Sequence, residues 1–279
     1  MNKKDITGAG EIGKEIVRQV GEVMKEPVAN LVTPSTKIIG ERLSNLLDVI
    51  FTPIELSKVC KDHKIVSFKR SLENKVSAIP ENKKVLPPLN VVGPALESAK
   101  YYIEEEEPRE MFARLIAKSM NIETTDSAHP SFVEIIKRMS SRDASNLISF
   151  GNVANHPIVK YRQWQGTSFW DFMTNIFLLN PKYADLHNQS ISISVLISLG
   201  LVIVDYSRAF DPSYYTEFYE TEDFRAFSEM CMQSYKLDPS FDIPQEVRTL
   251  IETSRRIEVI PGMIELTDLG TNFKHICID

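Results

Sequence analysis

The chain has 279 residues, 43% hydrophobic and 25% charged, with a net charge of −6. That length exceeds the usual single core, so two packed units are expected, and the apolar share excludes disorder throughout. The acidic balance argues against a protein built chiefly to coat nucleic acid.

Residues 1–80 read as consecutive amphipathic helices. Ile12, Ile16, Val20, Val23, Met24 and Val28 recur at helical spacing. Thr33-Pro34 and Thr52-Pro53 each place a capping hydroxyl before a proline suited to a first helical turn. The segment 80–88, PENKKVLPP, breaks the periodicity and reads as a linker or extended strap. A central helical segment follows, to about residue 125. GPALESAKYYI is expected to open at Pro94, and EPREMFARLIAKSMN carries Met111, Phe112, Leu115, Ile116 and Met120 on one stripe. The acidic run Glu104 to Glu107 suits the positive end of that second helix.

The third region, 126–279, begins with a helix opened by Pro130, and HPIVKYRQW then alternates like a short strand. ISISVLISLG reads as a helix stopped by Gly200, followed by a strand from Leu201 to Tyr206. Near the end, two β runs flank Pro261-Gly262, a turn signal, and Thr267 caps a last helix. Helix, strand, hairpin and helix predict a winged-helix-like α+β domain with an acidic helical insertion at about 211–254. The fold class expected is therefore mainly α: N-terminal amphipathic helices, a central helical segment and that C-terminal domain.

The stretches GPALESAKYYIEEEEPREMFARLIAKSM, HPSFVEIIKRMSSRDA, ISVLISLGLVIV and IELTDLGTNFKHICI, in this order, resemble the abortive infection alpha family of bacterial proteins. The resemblance covers residues 80 to 279 well and the N-terminal helices more loosely. It implies a role in defence against bacteriophage. It transfers no catalytic or ligand-binding residue.

The residues themselves carry little chemistry. Cys60, Cys231 and Cys277 are widely spaced, which suits a reducing compartment better than a zinc site. None of His63, His129, His156, His187 and His275 has metal-ligand spacing. His129, beside Asp126 and Ser127, is the first choice if a catalytic base exists, although a histidine before a helix is more often a cap. Gly8, Gly10, Gly13 and Lys14 match a dinucleotide fingerprint only formally, because no strand leads into them. No catalytic, cofactor-binding or metal residues are expected.

Nucleic acid is disfavoured as a partner. Residues 185 to 204 hold no Lys or Arg, and residues 205–253 hold 4 Lys/Arg against 11 Asp/Glu. Lys160, Tyr161, Arg162, Gln163 and Trp164 form one small basic–aromatic cluster, and Arg255-Arg256 reads as protection of a strand edge. Residues 1–80 hold 13 Lys/Arg against 10 Asp/Glu, so a membrane surface is a conceivable partner there. The apolar stretch Val195–Val204 is about half a membrane span, and the N-terminus lacks the apolar core of a secretory signal. A cytoplasmic protein is expected, or one peripheral at the inner face of the membrane. The function expected is non-enzymatic phage defence through protein contacts or self-assembly. A winged-helix DNA-binding regulator and a membrane-active toxin are the alternatives.

Overall fold

A computed structural model describes residues 43–52, 62–86, 88–165, 168–233, 244, 246 and 256–279. The chain divides into two compact units, residues 1–141 with 272–279 and residues 142–271. The expectations for residues 1–42, including the Thr33-Pro34 signal and the glycine-rich start, lie outside the described residues.

The described elements of the first unit are helical, joined by short turns and one isolated bridge. Helix α1, over 43–52, buries Leu43, Leu46, Leu47, Ile50 and Phe51, the i, i+3, i+4, i+7 pattern of one helical face. Phe51 meets Phe68 of α2 (Asp62–Ser77) with ring centroids 5.4 Å apart. Thr52, expected to cap the following helix, is the last described residue of α1, and Pro53 lies outside the described residues. The proline-rich strap contains a 3-10 turn, Glu81–Lys83. The Val85 N–H then donates to Met120 O at 2.9 Å and the Ile122 N–H to Lys83 O at 2.9 Å.

Helix α3 (Leu89–Ala99) begins five residues before Pro94, the position expected to open it. The Pro88 carbonyl accepts from the Val91 and Val92 N–H groups and starts the helix instead. Pro94 lacks a donor for the Asn90 carbonyl, but Asn90 is exposed, so that acceptor need not go unsatisfied. Helix α4 (Glu106–Ser119) packs against α2, α3 and α5 (Ser131–Lys137). Its Phe112, Leu115 and Ile116 are fully buried. Phe132 of α5 meets Phe273 of the C-terminal helix edge to face at 5.2 Å.

The second unit corrects the expected fold class. It runs α6 (Ser141–Ser149), β1 (Asn155–Gln165), β2 (Ser168–Ile176), α7 (Leu186–Ser198) and β3 (Val202–Asp205). A 3-10 helix (Pro212–Tyr219), α8 (Glu222–Gln233), β4 (Arg256–Leu266) and the start of α9 (Asp268–Cys277) follow. The four strands form one curled antiparallel sheet in the order β2-β1-β4-β3. The chain is thus helix-rich but mixed α+β, and the mainly α description with a winged-helix-like C-terminal domain is wrong.

The wing was predicted from Pro261-Gly262, and no turn forms there. β4 runs straight through, with Pro261 opposite Val159 and Gly262 opposite Ile158 of β1. β3 stops opposite Met263, so Pro261 lies where β4 has a strand neighbour on one side only, a place that tolerates proline. Gly262 serves close approach: a Cβ there would come within 2.6 Å of Tyr206 Cδ1. β2 was not expected at all. Its pairing with β1 shifts register twice, and Asn175 sits in the left-handed region at φ 55°.

The acidic insertion has a packing role. Its 3-10 helix and α8 cover one face of the sheet, where Val159, Tyr161, Tyr215, Phe218 and Val259 are buried. The Tyr161 hydroxyl donates to Phe218 O at 2.7 Å, which anchors that cover to β1.

Candidate functional site: a basic–aromatic ladder on the sheet

Side chains alternate across a strand, so Lys160, Arg162 and Trp164 of β1 point away from the face that buries Tyr161. The register sets Arg162 between Asp171 of β2 and Glu258 of β4, and Trp164 between Phe169 and Arg256. The cluster read from β1 alone is therefore the centre of a three-strand ladder.

Asp171 joins the two cations. Its Oδ1 accepts from Arg162 Nε at 2.7 Å, its Oδ2 from Arg162 Nη2 at 3.3 Å, and Lys160 Nζ lies 2.7 Å from Oδ2. The Arg162 guanidinium lies 3.8 Å from the centroid of the Phe169 ring, and Arg256 lies 5.0 Å from that of Trp164. The Trp164 indole N–H donates to Glu258 Oε2 at 2.6 Å. At the other end Lys160 Nζ stands 4.6 Å from the centroid of the Tyr206 ring. The Tyr206 hydroxyl accepts the Asn175 N–H at 2.9 Å and fixes the bulge of β2, and burial pushes its pKa up to about 12.

Hydrogen bonds from Arg162, and then from Lys160, hold the Asp171 carboxyl below the usual aspartate range. A depressed folded-state pKa contributes stability that is present above the unfolded value and is lost as pH falls through the folded value. The acid limb of a melting-temperature profile below the ordinary aspartate pKa should therefore be less steep in Asp171→Asn than in the wild type. At neutral pH that variant should melt lower. Superimposable profiles would show that the carboxylate does not hold β2 to β1.

Much of this ladder is self-satisfied, and β2 is its outer strand. β2 ends the strand order, and it exposes Phe169 at 49% and Trp170 at 45% of their surface. Among the described residues no strand pairs with its outer side, where α7 packs and Ser190 Oγ donates to Thr174 O at 2.6 Å, and exposed aromatics on such a strand are a feature that a contacting protein uses.

The other candidates disperse. His129 Nδ1 accepts the Ser131 N–H at 3.1 Å and lies 2.7 Å from Ser131 Oγ, so it caps α5; its backbone N–H donates to Ser127 O at 2.9 Å, and among the described residues no hydrogen bond joins its ring to Asp126 or Ser127. His156 is buried, with Nε2 3.1 Å from Phe150 O and its ring edge-on to Phe150. His63, His187 and His275 are exposed on separate elements. Cys231 and Cys277 are buried, and burial pushes the Cys277 thiol well up; Cys60 lies outside the described residues. Among the described residues, no group of three His, Cys, Asp or Glu is placed to hold a metal ion. Arg256, read as an edge guard, stacks on Trp164 inside the ladder, while Arg255 lies outside the described residues.

Asp171 and Phe169 escaped the sequence reading because β2 did, and Glu258 because the pairing of β4 with β1 is not encoded locally. A signal for β2 exists: SFWDF is rich in strand formers and follows HPIVKYRQWQ after only Gly166-Thr167, the spacing of a two-residue hairpin.

A family model described as abortive infection alpha matches residues 60–277. No curated protein and no solved structure matches the chain.

Proposed function

Since the chain belongs to the abortive infection alpha family, we propose that it is a phage-defence protein which acts through protein contacts, with no catalytic centre of its own. The observation that carries the contact reading is the exposure on the outer strand β2 of Phe169, on the ladder face, and Trp170, on the opposite face, with Asp171 and Phe169 tied to Arg162 of β1. The dispersal of the histidines, and their use as a cap and a core residue, favours binding over turnover.

The DNA-regulator reading loses its premise with the winged helix. Helix α7 contains neither Lys nor Arg to neutralise phosphates. The membrane-active reading rests mostly on segments outside the described residues. Among the described residues, no helix is long and apolar enough to cross a membrane.

The test is expression of the full chain in a phage-sensitive host, with phage yield and host survival followed across multiplicities of infection. Defence by abortive infection lowers phage yield at all multiplicities, and cells infected at high multiplicity die without releasing progeny. Unchanged yield over a broad phage panel would refute the reading.

A further inference from the structure

The first unit contains a cleft of about 260 Å³ between α2 and α4. Its apolar lining comes from Ala78, Ile79, Pro80 and Ala117. Its walls bring together Lys75 from α2 and Arg114, Lys118 and Asn121 from α4 and the turn that follows it. Positions 114, 118 and 121 fall on one stripe of a helix, at i, i+4 and i+7.

The cations are not equivalent. Lys75 is spoken for, because its Nζ donates to Glu110 Oε2 at 2.8 Å and to Ser71 Oγ at 2.7 Å. Lys118 stands in the last turn of α4, where any cation is favoured by the helix dipole. Arg114 has neither explanation. It lies mid-helix and half-buried, and among the described residues its side chain makes no hydrogen bond and no ion pair. Glu110, one turn earlier, feels the Arg114 charge, but its Oε2 is taken by Lys75 and Ser71. Asp279, the one acid in the lining, is held by Lys274 at 2.8 Å.

A guanidinium carries five donors in a planar fork and matches an oxyanion through two parallel bonds. We propose that this cleft binds the phosphoryl group of a small phosphorylated molecule. Arg114 grips two of its oxygens, the Lys118 ammonium and the Asn121 amide serve the others, and an uncharged part lies on Ile79 and Pro80. A phosphoryl group is favoured over a carboxylate because three separate donors converge, and a carboxylate has only two oxygens to offer them. This site is independent of the defence reading, and failure of either leaves the other standing.

The test is calorimetric titration of the full-length protein with inorganic phosphate, pyrophosphate and succinate, at low and moderate salt. Saturable binding of phosphate or pyrophosphate is expected, with pyrophosphate tighter and succinate at least tenfold weaker. Arg114→Gln should weaken pyrophosphate at least tenfold and Lys118→Gln severalfold, each without changing the melting temperature of the unliganded protein. Arg138→Gln, an exposed change outside the cleft, should leave the affinity unchanged. The proposal is overturned by absent binding, by succinate binding as tightly as pyrophosphate, or by an affinity that Arg114→Gln leaves intact.

Discussion

Replacing Gly270 by alanine is expected to unfold the start of the last helix and remove most of the soluble protein. A Cβ at this position would lie 1.9 Å from Leu201 O and 2.8 Å from Leu201 C. Both are backbone atoms and cannot swing aside as a side chain can. Helix propensity alone favours alanine over glycine by about 1 kcal/mol. Overpacking against a fixed neighbour typically costs about 1–3 kcal/mol and can exceed it, so the clash wins. The same contact holds the cap: Thr267 Oγ1 accepts the Gly270 N–H at 2.9 Å and donates to Gly200 O at 2.5 Å, where Gly200 turns the chain at φ 72°. Urea unfolding should show a loss of more than about 3 kcal/mol, or no folded baseline. Wild-type stability of Gly270→Ala would contradict the packing of α9 on Leu201.

Asn146→Leu is expected to be nearly as damaging, for the opposite reason. Asn146 is fully buried in α6. Its Nδ2 donates to Gln189 Oε1 at 2.7 Å and to Ser192 Oγ at 2.8 Å, both on α7. Its Oδ1 accepts from Asn180 Nδ2 at 2.7 Å. Leucine has a similar volume but leaves these partners without Asn146, and a buried group stripped of its bond costs about 1–3 kcal/mol. Asn180 retains Ser145 as an acceptor at 3.1 Å, so the loss falls mainly on Gln189 and Ser192, about 3 kcal/mol together. Ser192→Ala in the same background should cost less than it does alone, the non-additivity of a shared network. A cost for Asn146→Leu below about 1 kcal/mol, the range of an ordinary surface change, would mean that the network is not formed.

These two sites also mark how far the sequence could be read. The stripes of α1 and α4, the strand at 155–165, the stop at Gly200 and the cap at Thr267 follow from local periodicity and capping chemistry, which act over a few residues. What failed was non-local. Pro261-Gly262 has the composition of a turn, yet β1 pairs with both residues from a hundred positions away and holds them extended. Pro94 resembles a helix start, but the Pro88 carbonyl begins the helix earlier. The bulged β2 has no clean alternation, because two register shifts break the period of two. The site suffered accordingly. Lys160, Arg162 and Trp164 were legible as a basic–aromatic cluster, but Asp171, Phe169 and Glu258 come from strands whose pairing periodicity does not encode. Arg114 reads as an ordinary solvated helix position until α2 is placed beside it.

On the proposed function, the chain restricts phage through the exposed aromatics of β2. The most direct test is the double change Phe169→Ser, Trp170→Ser, assayed for phage yield in infected cells beside the wild type at matched expression. Both side chains are about half exposed, so the melting temperature should fall only slightly. Phage yield is expected to return to the level of cells without the protein, while the variant remains folded and abundant. A folded variant that still restricts phage fully would contradict the proposed function.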